Sequence, residues 1–372
     1  MKPQYLYIHV PFCRSICFYC DFCHVAYSQR MADRWLQAVD RELQFYPPSQ
    51  DLKTIYIGGG TPSALSSQQL IHLLELLSPY RDSVIEYTIE ANPESLDEEK
   101  AKILSSFGVN RVSLGYQTND PVQLRRMNRH ADPVMVRSSM ECLRRHGITN
   151  ISLDLMYSLP GQTLPQLQNE VETALAMEPE HLSLYSLTIA PQTVFAKRNI
   201  SPCDPDTEAD MYEWICQRLE GAGYLQYELS NFARPGRRSL HNLAYWHYDD
   251  FLGIGAGASG KQGMYRYDHT KKLETYLASP ASRILIPLSL QDQMFEQIMM
   301  NFRLKEGIKK SSFFQRYGMT IDQVYPSSLQ TLKQNGLLEE DEHYLRASNH
   351  GYEILNDVLE LFLEEADAQK PH

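Results

Sequence analysis

The sequence lacks any long hydrophobic run, which excludes one class of protein at once. No stretch approaches the ~20 consecutive apolar residues that a membrane-spanning helix requires. The first residues, Met1 to Tyr5, contain no apolar signal core. We therefore expect a cytoplasmic protein. Its 372 residues are enough for one large domain and a smaller one.

The sequence also lacks an excess of basic residues. It carries 35 Lys and Arg against 46 Asp and Glu, which gives a formal net charge of −11 at pH 7. Nonspecific binding to nucleic acid requires basic surface to replace counterions, so we expect no nucleic-acid partner. The composition leaves peripheral membrane contact and dimer formation open.

Cysteine is scarce outside one short segment. Four of the seven cysteines lie between Cys13 and Cys23, and the other three are scattered at Cys142, Cys203 and Cys216. In a reducing compartment such a cluster is more typical of a metal site than of disulfides. We interpret Cys142 and Cys216 as core or helix-face residues.

The first two-thirds of the sequence alternates strand-like and helix-like segments. The predicted strands are Tyr5–Val10, Thr54–Ile57, Ile85–Ile89, Arg111–Leu114, Ile151–Leu155 and Leu182–Leu187. The predicted helices are Met31–Phe45, Gln68–Leu77, Glu98–Phe107, Val134–His146, Leu164–Met177 and Glu208–Ala222. Repeated strand–helix units indicate a parallel sheet with right-handed crossovers. Because six units are too few for a closed eight-stranded barrel, we predict an α/β fold with a partial (β/α)6 barrel.

Polar and glycine residues cluster where these predicted strands end. Gly58–Pro62 follow the second strand, Glu90 ends the third, Gln117 follows the fourth, and Asp154 lies at the end of the fifth. The cysteine segment follows the first strand. Ligands bind at the C-terminal edge of the strands in parallel β/α folds. One edge of the sheet is therefore expected to form a single site.

The pattern changes after about residue 224, and we predict three regions. Residues 1–230 form the barrel domain, residues 231–285 a connecting region, and residues 286–372 a C-terminal domain. Helical periodicity and a strand-like Tyr344–Ala347 predict that the last region is mostly helical and winged-helix-like. The glycine-dense segment Gly253–Gly260 lacks the Lys-Ser/Thr of a phosphate loop. We assign it to chain reversal beside the site.

The spacing of three cysteines indicates the chemistry. Cys13, Cys17 and Cys20 form a C-x3-C-x2-C pattern after the first strand. Thiolates suit iron–sulfur clusters or zinc. Structural zinc sites, however, usually use four ligands in two separated pairs, and no second pair of typical spacing follows. Three cysteines can hold three corners of a cubane and leave the fourth iron open. Together with the preceding Tyr-Ile-His-Val-Pro-Phe, this segment resembles the radical S-adenosylmethionine (SAM) superfamily.

The resemblance implies a [4Fe–4S] cluster on these cysteines, with SAM bound at the open iron. In that superfamily an electron from the cluster cleaves SAM to a 5′-deoxyadenosyl radical. The resemblance also implies contacts to SAM. The Gly-Gly-Thr-Pro motif meets the amino group, Glu90 suits the ribose hydroxyls, and Arg129 pairs with the carboxylate. The positions that match such contacts, or the family's tyrosine beside the cluster, are Tyr7, Gly59, Gly60, Thr61, Glu90, Gln117, Arg129 and Asp154.

Within the superfamily, residues 5–190 resemble the branch of oxygen-independent coproporphyrinogen III dehydrogenase and the HemW-type haem chaperones. Two features favour the chaperones. Few residues precede Tyr7, whereas the dehydrogenase carries a longer N-terminal extension. Phe22 stands where the dehydrogenase usually has a fourth cysteine. Cys23 is one place further on and fits neither pattern, and we favour a thiol that is not a cluster ligand.

A second motif, His241–Trp246, reads H-N-x-x-Y-W and resembles the haem signature of the chaperone branch. An imidazole can ligate haem iron, and Tyr and Trp offer flat apolar surface. We therefore predict His241 as the axial ligand, with Arg234, Arg237 and Arg238 near the propionates. The alternative is a core histidine beside a buried Tyr-Trp pair.

The resemblance thus implies a haem chaperone that binds a [4Fe–4S] cluster, SAM and haem, and delivers haem to haem-dependent proteins. Whether the protein is also an enzyme stays open, because coproporphyrinogen III dehydrogenase is the main alternative. A DNA-binding redox sensor is a third interpretation, which the acidic composition disfavours.

Overall fold

A computed structural model describes residues 2–368 of the chain. Its strands are β1 (Tyr5–Val10), β2 (Phe12–Cys13), β3 (Val25–Ala26), β4 (Thr54–Gly59), β5 (Glu86–Ala91), β6 (Arg111–Gln117), β7 (Asn150–Tyr157), β8 (His181–Ser186), β9 (Leu225–Gln226), β10 (Asn231–Ala233), β11 (Leu252–Ile254), β12 (Ser259–Gln262), β13 (Tyr265–Asp268), β14 (Ile284–Pro287), β15 (Ile308–Lys309), β16 (Leu338–Glu340) and β17 (Tyr344–Ala347).

The helices alternate with these strands. They are α1 (Gln29–Phe45), α2 (Ser67–Leu77), α3 (Glu98–Ser106), α4 (Pro121–Met127), α5 (Pro133–Arg145), α6 (Leu164–Leu175), α7 (Val194–Lys197), α8 (Pro205–Gly221), α9 (Leu240–Trp246), α10 (Leu273–Ala278), α11 (Leu290–Asn301), α12 (Lys310–Tyr317), α13 (Ile321–Val324), α14 (Pro326–Gln334), α15 (Asn349–Glu353) and α16 (Leu355–Ala368). None of the described helices combines the length and hydropathy needed to cross a membrane.

The main sheet confirms the predicted α/β fold. Its strand order is β11-β1-β4-β5-β6-β7-β8-β10-β9, so the six predicted strands are neighbours in chain order. All six pair in parallel. In the described part of the chain the two edge strands, β11 and β9, do not pair with each other, so the barrel is open, as six units predict. The structure thus has the predicted partial barrel.

The two faces of the sheet differ in polarity. On β1, Leu6, Ile8 and Val10 are fully buried in the hydrophobic core together with residues of the surrounding helices. Tyr7 and His9 alternate with them and therefore face the interior of the barrel. Side chains that can hydrogen-bond occupy the interior face of the following strands as well. Those that matter for the site are Tyr56, Glu90, Arg111, Ser113, Asp154 and His181.

The helix starts explain why the predicted helices were placed correctly to within a few residues. Four helices of the barrel begin at a side chain that accepts a backbone N–H of the first turn: Ser66 for α2, Asp97 for α3, Asp132 for α5 and Asp204 for α8. Such caps satisfy donors that have no partner inside the helix.

The glycine-dense segment does more than reverse the chain. Part of it forms β11, which pairs in parallel with β1 through Leu6↔Leu252 and Ile8↔Ile254. Side chains cannot fit where the strands approach, because a Cβ on Gly255 would lie 2.5 Å from the carbonyl oxygen of His9. The assignment of this segment to chain reversal alone was therefore wrong: it adds an edge strand.

The C-terminal region has its own hydrophobic core, which includes Ile298, Phe302, Phe313 and Phe362. Helices α11–α16 surround a three-stranded antiparallel sheet in the order β15-β17-β16, so the region is mostly helical, as predicted. We retain the division into residues 1–230, 231–285 and 286–372 as a proposal. Strands β10 and β11 of the middle region nevertheless complete the main sheet.

Candidate functional site

The cysteine segment leaves β1 and lies over the C-terminal edge of the sheet. Cys13 ends β2, and Cys17 and Cys20 follow in irregular structure, all as free thiols. The Thr61 hydroxyl donates to the Cys13 sulfur at 3.6 Å, and the Arg129 guanidinium lies 3.9 Å from the Cys17 sulfur. The Thr61 hydrogen bond lowers the pKa of Cys13, but the effect of burial is larger and opposite.

Burial raises the pKa of the Cys13 thiol to about 11 and that of Cys20 to about 12. Without a metal these thiols are therefore protonated at neutral pH. Metal or cluster binding must release those protons.

The spacing of the three sulfurs tests whether the segment fits a cluster. A single zinc ion with Zn–S bonds of ~2.3 Å would hold its sulfurs roughly 4 Å apart. Among the described residues, Cys13, Cys17 and Cys20 are not a group whose ligand atoms all lie within 4.8 Å of one another. The three sulfurs are therefore not arranged as the ligands of a single zinc ion, whereas thiolates in one loop are the donors that an iron–sulfur cluster takes.

Glu90 lies beside this loop on the interior face of β5. It accepts hydrogen bonds from the Tyr56 hydroxyl at 2.8 Å and from the backbone N–H of Gly59 at 3.0 Å. Burial raises the pKa of Glu90 to about 7, and the nearby Asp154 raises it further while the two hydrogen bonds oppose the shift. The carboxyl is held in place and can accept further hydrogen bonds from a ligand.

The glycines at the end of β4 form a cradle that side chains would fill. Gly59 has φ +113°, and a Cβ there would lie 2.7 Å from the His9 ring. A Cβ on Gly60 would lie 2.9 Å from the backbone oxygen of Phe12. The chain can therefore pass close to a ligand beside Thr61 without a steric clash.

Arg129 and Gln117 approach the same edge from β6 and the residues after α4. Arg129 is only 5% exposed and donates to the carbonyl oxygen of Gly115 at 2.7 Å. Its Nε has no hydrogen-bond partner among the described residues, which leaves a buried donor for an anionic group. Gln117 has φ +64° at a β-bulge, which re-aims its side chain relative to the strand.

Asp154 lies in the middle of β7, so its predicted place at the end of that strand was wrong. The side chain is held by Ser113, whose hydroxyl lies 2.9 Å from both carboxylate oxygens, and by Ser152 at 3.3 Å. Burial raises the pKa of Asp154, and the Ser113 hydrogen bond and Arg111 oppose that shift. The carboxylate lies inside the barrel, below the edge that carries the cysteines.

Sequence reasoning missed several residues of the interior. Arg111 is 2% exposed at the start of β6, His9 joins Tyr7 to the cysteine loop, and Tyr56 positions Glu90. The sequence did contain a sign of their position. Arg111 and Ser113 alternate with the apolar Val112 and Leu114, which places the two polar side chains on the same face of the strand.

A cavity of about 620 Å³ opens beside the cysteine loop. Its wall comes from β1, the cysteine loop, α9, the strands β12 and β13, and α11. The aromatic residues Tyr245, Trp246 and Phe251 supply flat surface, and the indole N–H of Trp246 has no hydrogen-bond partner among the described residues. The cations in the wall are Lys261, Arg266 and Lys271.

Cys23 faces this cavity rather than the other cysteines. Its thiol donates to the backbone oxygen of Lys271 at 3.3 Å. Burial raises the pKa of Cys23, and Lys271 opposes that shift, whereas the pKa of Cys20 responds to Cys17 and Cys13. This placement supports the interpretation of Cys23 as a free thiol.

The structure places His241 differently from its predicted axial role. His241 is fully buried in α9 and does not line the cavity. The Nδ1 atom of the ring is hydrogen-bonded to the Thr54 hydroxyl at 2.6 Å. The Nε2 atom is hydrogen-bonded to the Tyr245 hydroxyl at 2.8 Å. Burial lowers its pKa to about 3, so the ring is neutral. Since both nitrogens are occupied, the ring cannot bind iron in this conformation.

The three predicted arginine partners of the propionates also lie elsewhere. None of Arg234, Arg237 and Arg238 lines the cavity. Arg234 donates to the Tyr224 hydroxyl at 3.3 Å, and Arg238 lies 3.9 Å from Glu306.

Comparison with known proteins shows the family of the chain. Residues 7–174 match the family model described as "Radical SAM superfamily", and residues 288–354 match "HemN C-terminal domain". The fold is similar to that of coproporphyrinogen III oxidase (HemN) from Escherichia coli, with a TM-score of 0.84 and 23% identity over 97% of this chain and 90% of that one.

Several curated relatives carry the name "Heme chaperone HemW". The protein from Lactococcus lactis is 38% identical over 97% of this chain and 98% of its own length. The Bacillus subtilis protein is 38% identical over 96% of this chain and 99% of its own length. The Escherichia coli protein is 35% identical over 98% of this chain and 99% of its own length. The chain therefore belongs to the radical SAM superfamily and, within it, to the family of the heme chaperone HemW.

Proposed function

We propose that this protein is a cytoplasmic haem chaperone, which binds a [4Fe–4S] cluster, SAM and haem and delivers the haem to haem-dependent proteins. The observation that carries the proposal is the aromatic-walled cavity beside the cysteine loop, in a chain whose relatives are named "Heme chaperone HemW". The cavity is mostly apolar and of a size that suits one flat aromatic ligand. Its wall also carries four carboxylates, Asp21, Asp249, Asp268 and Glu296, beside its three cations, so the aromatic wall rather than the charge supports haem as that ligand.

Cys13, Cys17 and Cys20 would hold the cluster at three irons, and the fourth iron would take SAM. Bound there, the cluster supplies one-electron chemistry at SAM. The remaining contacts are assigned to residues of the same edge. Gly59, Gly60 and Thr61 would meet the amino group of SAM, Arg129 its carboxylate and Glu90 its ribose, while Tyr7, Gln117 and Asp154 would complete the surroundings.

In the cavity, Tyr245, Trp246 and Phe251 would lie against the porphyrin face. Lys271 would meet a propionate at the rim, whereas Arg266 would first have to leave Glu296, whose carboxylate lies 3.2 Å from its Nε. We assign His241 to haem binding as a positioning residue: its hydrogen bond fixes Tyr245, one residue before Trp246. Axial ligation by His241 would require it to leave both Thr54 and Tyr245.

The proposal includes partners that receive the cargo. An acceptor would dock where the cavity opens, and a dimer or contact with a membrane surface would bring the cavity close to a membrane-bound acceptor. No role with nucleic acid is proposed, because the chain carries a net charge of −11.

Two anaerobic assays of the cluster-loaded protein test the function. Haem-loaded protein is mixed with a haem-free b-type cytochrome domain, and we expect the acceptor to gain its haem spectrum faster than from free haem. The same protein is then incubated with coproporphyrinogen III, SAM and a reductant, and we expect no protoporphyrinogen. Product formation without haem transfer would overturn the chaperone assignment in favour of the dehydrogenase.

A further inference from the structure

A second group of metal-binding side chains lies away from the barrel interior, on the helices that cover the sheet. Cys142 and His146 are four residues apart at the C-terminal end of α5 and therefore lie on one face of that helix. Glu98, the first residue of α3, faces them from the neighbouring helix. A thiol, an imidazole and a carboxylate thus converge from two helices.

The distances between these atoms are those of a ligand set. His146 Nε2 lies 2.7 Å from one Glu98 oxygen, and the Cys142 sulfur lies 3.3 Å from the other. One ligand atom from each residue lies within 4.8 Å of the other two. Among the described residues, this is the one group of three such side chains that meets that spacing.

We propose that Glu98, Cys142 and His146 bind a divalent transition-metal ion of the zinc class. Sulfur, nitrogen and oxygen donors together are the ligands that zinc accepts in tetrahedral sites, and water would complete the fourth position. Soft thiolate and imidazole donors exclude magnesium and calcium, which bind oxygen ligands. The interpretation of Cys142 as only a helix-face residue is thereby extended.

The site is held in place by contacts outside the ligands. Asp97 caps the start of α3, and the Ser105 hydroxyl donates at 2.6 Å to the backbone oxygen of His146, which ties the end of α5 to α3. Cys142 is only 7% exposed, whereas Glu98 lies at the surface, so an ion can enter from solvent.

Binding must displace protons and one competing cation. The Cys142 thiol proton would leave to solvent as the sulfur binds the ion. His146 donates to Glu98 through Nε2, so its proton would move through solvent to Nδ1 and free the Nε2 lone pair. Arg145 also donates to Glu98, at 2.7 Å. Both partners of that ion pair are largely exposed, which makes it weak and easily replaced.

The test uses protein already loaded with its cluster, so that Cys13, Cys17 and Cys20 are occupied. Zinc is added by equilibrium dialysis, and bound zinc and iron are counted by elemental analysis. We expect one zinc per chain in the wild type. Cys142→Ser and His146→Ala should each weaken binding at least tenfold, whereas the control Cys216→Ser should bind like the wild type. Arg145→Ala should bind as tightly or more tightly, because a competing donor is removed.

X-ray absorption at the zinc edge gives a second measurement, and one sulfur neighbour is expected. Absence of bound zinc in the wild type, or wild-type affinity in Cys142→Ser and His146→Ala, would overturn the site. Circular dichroism and iron content of each variant separate misfolding from loss of the ion. Neither result depends on haem, so failure of this site leaves the chaperone assignment untouched.

Discussion

The two ends of the barrel interior differ in the space that they leave for a ligand. At the end that carries the cysteines, Arg129 Nε has no partner among the described residues and the glycine cradle leaves room for a ligand. At the end where the strands begin, Glu86 accepts the backbone N–H groups of Leu240 and His241 at 2.8 and 2.9 Å. Both nitrogens of His241 are also hydrogen-bonded.

The difference distinguishes residues that can bind a ligand from residues that hold the fold together. A buried polar atom without a partner costs free energy. Such atoms occur at both ends, since Arg111 Nε and Asn150 Oδ1 at the strand starts also lack a partner among the described residues. The cysteine end is prepared for a ligand because there the unpartnered Arg129 Nε lies beside the glycine cradle. A fully hydrogen-bonded histidine is part of the fold. Helix α9 accordingly lies at the end where the strands begin. Tyr245 and Trp246, about one helical turn after His241, line the cavity.

The largest effect is expected at the cysteine edge. Replacing Cys13, Cys17 or Cys20 by Ala should abolish the iron–sulfur absorbance of anaerobically reconstituted protein, because each sulfur holds one iron. Cys23→Ala is the matched control and should retain most of it, since that thiol faces the cavity. Equal loss of the absorbance in all four variants would show that Cys23 is also a cluster ligand and not a free thiol of the cavity wall.

The next effect concerns the pH dependence of the cluster-free protein. The folded chain keeps the Glu90 proton up to about pH 7, whereas the unfolded chain releases it near 4.5. Protonation of Glu90 therefore contributes to the free energy of unfolding at low pH. That contribution is lost as pH rises from 4.5 to 7, by up to about 3 kcal/mol.

Urea unfolding at several pH values measures that dependence. Glu90→Gln, which cannot titrate, should flatten the curve between pH 5 and 8. An unchanged slope in Glu90→Gln would show that Glu90 titrates normally and that its burial is not coupled to folding.

Arg129→Ala should weaken SAM binding to the cluster-loaded protein by roughly 10- to 100-fold, the size expected for one charge-assisted hydrogen bond. Isothermal titration calorimetry measures this. Arg126→Ala is the control, because Arg126 is exposed and donates to the Pro160 oxygen. Equal affinities of the two variants would remove Arg129 from the SAM site.

The smallest effect on ligand binding is expected for His241→Ala, which acts mainly on stability. It should lower the unfolding free energy by about 1–3 kcal/mol, because the Thr54 and Tyr245 hydroxyls lose a buried partner. Bound haem should keep its Soret band, with affinity reduced only through the shifted Tyr245. A changed Soret spectrum with unchanged stability would restore the axial role of His241.

The sequence predicted what depends on local pattern. The six strands and their helices follow from apolar periodicity, and the C-x3-C-x2-C motif identified the cluster loop. Strand β11 was missed because glycine conceals strand patterning. Helix α4 was missed because its seven residues are too few for a clear helical periodicity.

Orientation could not be predicted in the same way. The motif around His241 gives residue types but not the face each one takes, and Thr54, its partner, lies 187 residues away. The buried Arg111 likewise depends on pairing between distant strands. Long-range contacts of this kind require the assembled sheet.

Haem titration of the cluster-loaded protein directly tests whether the cavity beside the cysteine loop binds haem. Trp246→Ala removes flat surface from the cavity wall, and Trp214→Ala removes a tryptophan that does not line it. We expect Trp246→Ala to bind haem at least tenfold more weakly than the wild type, and Trp214→Ala to bind like the wild type. Wild-type affinity in both variants would contradict a haem site in this cavity.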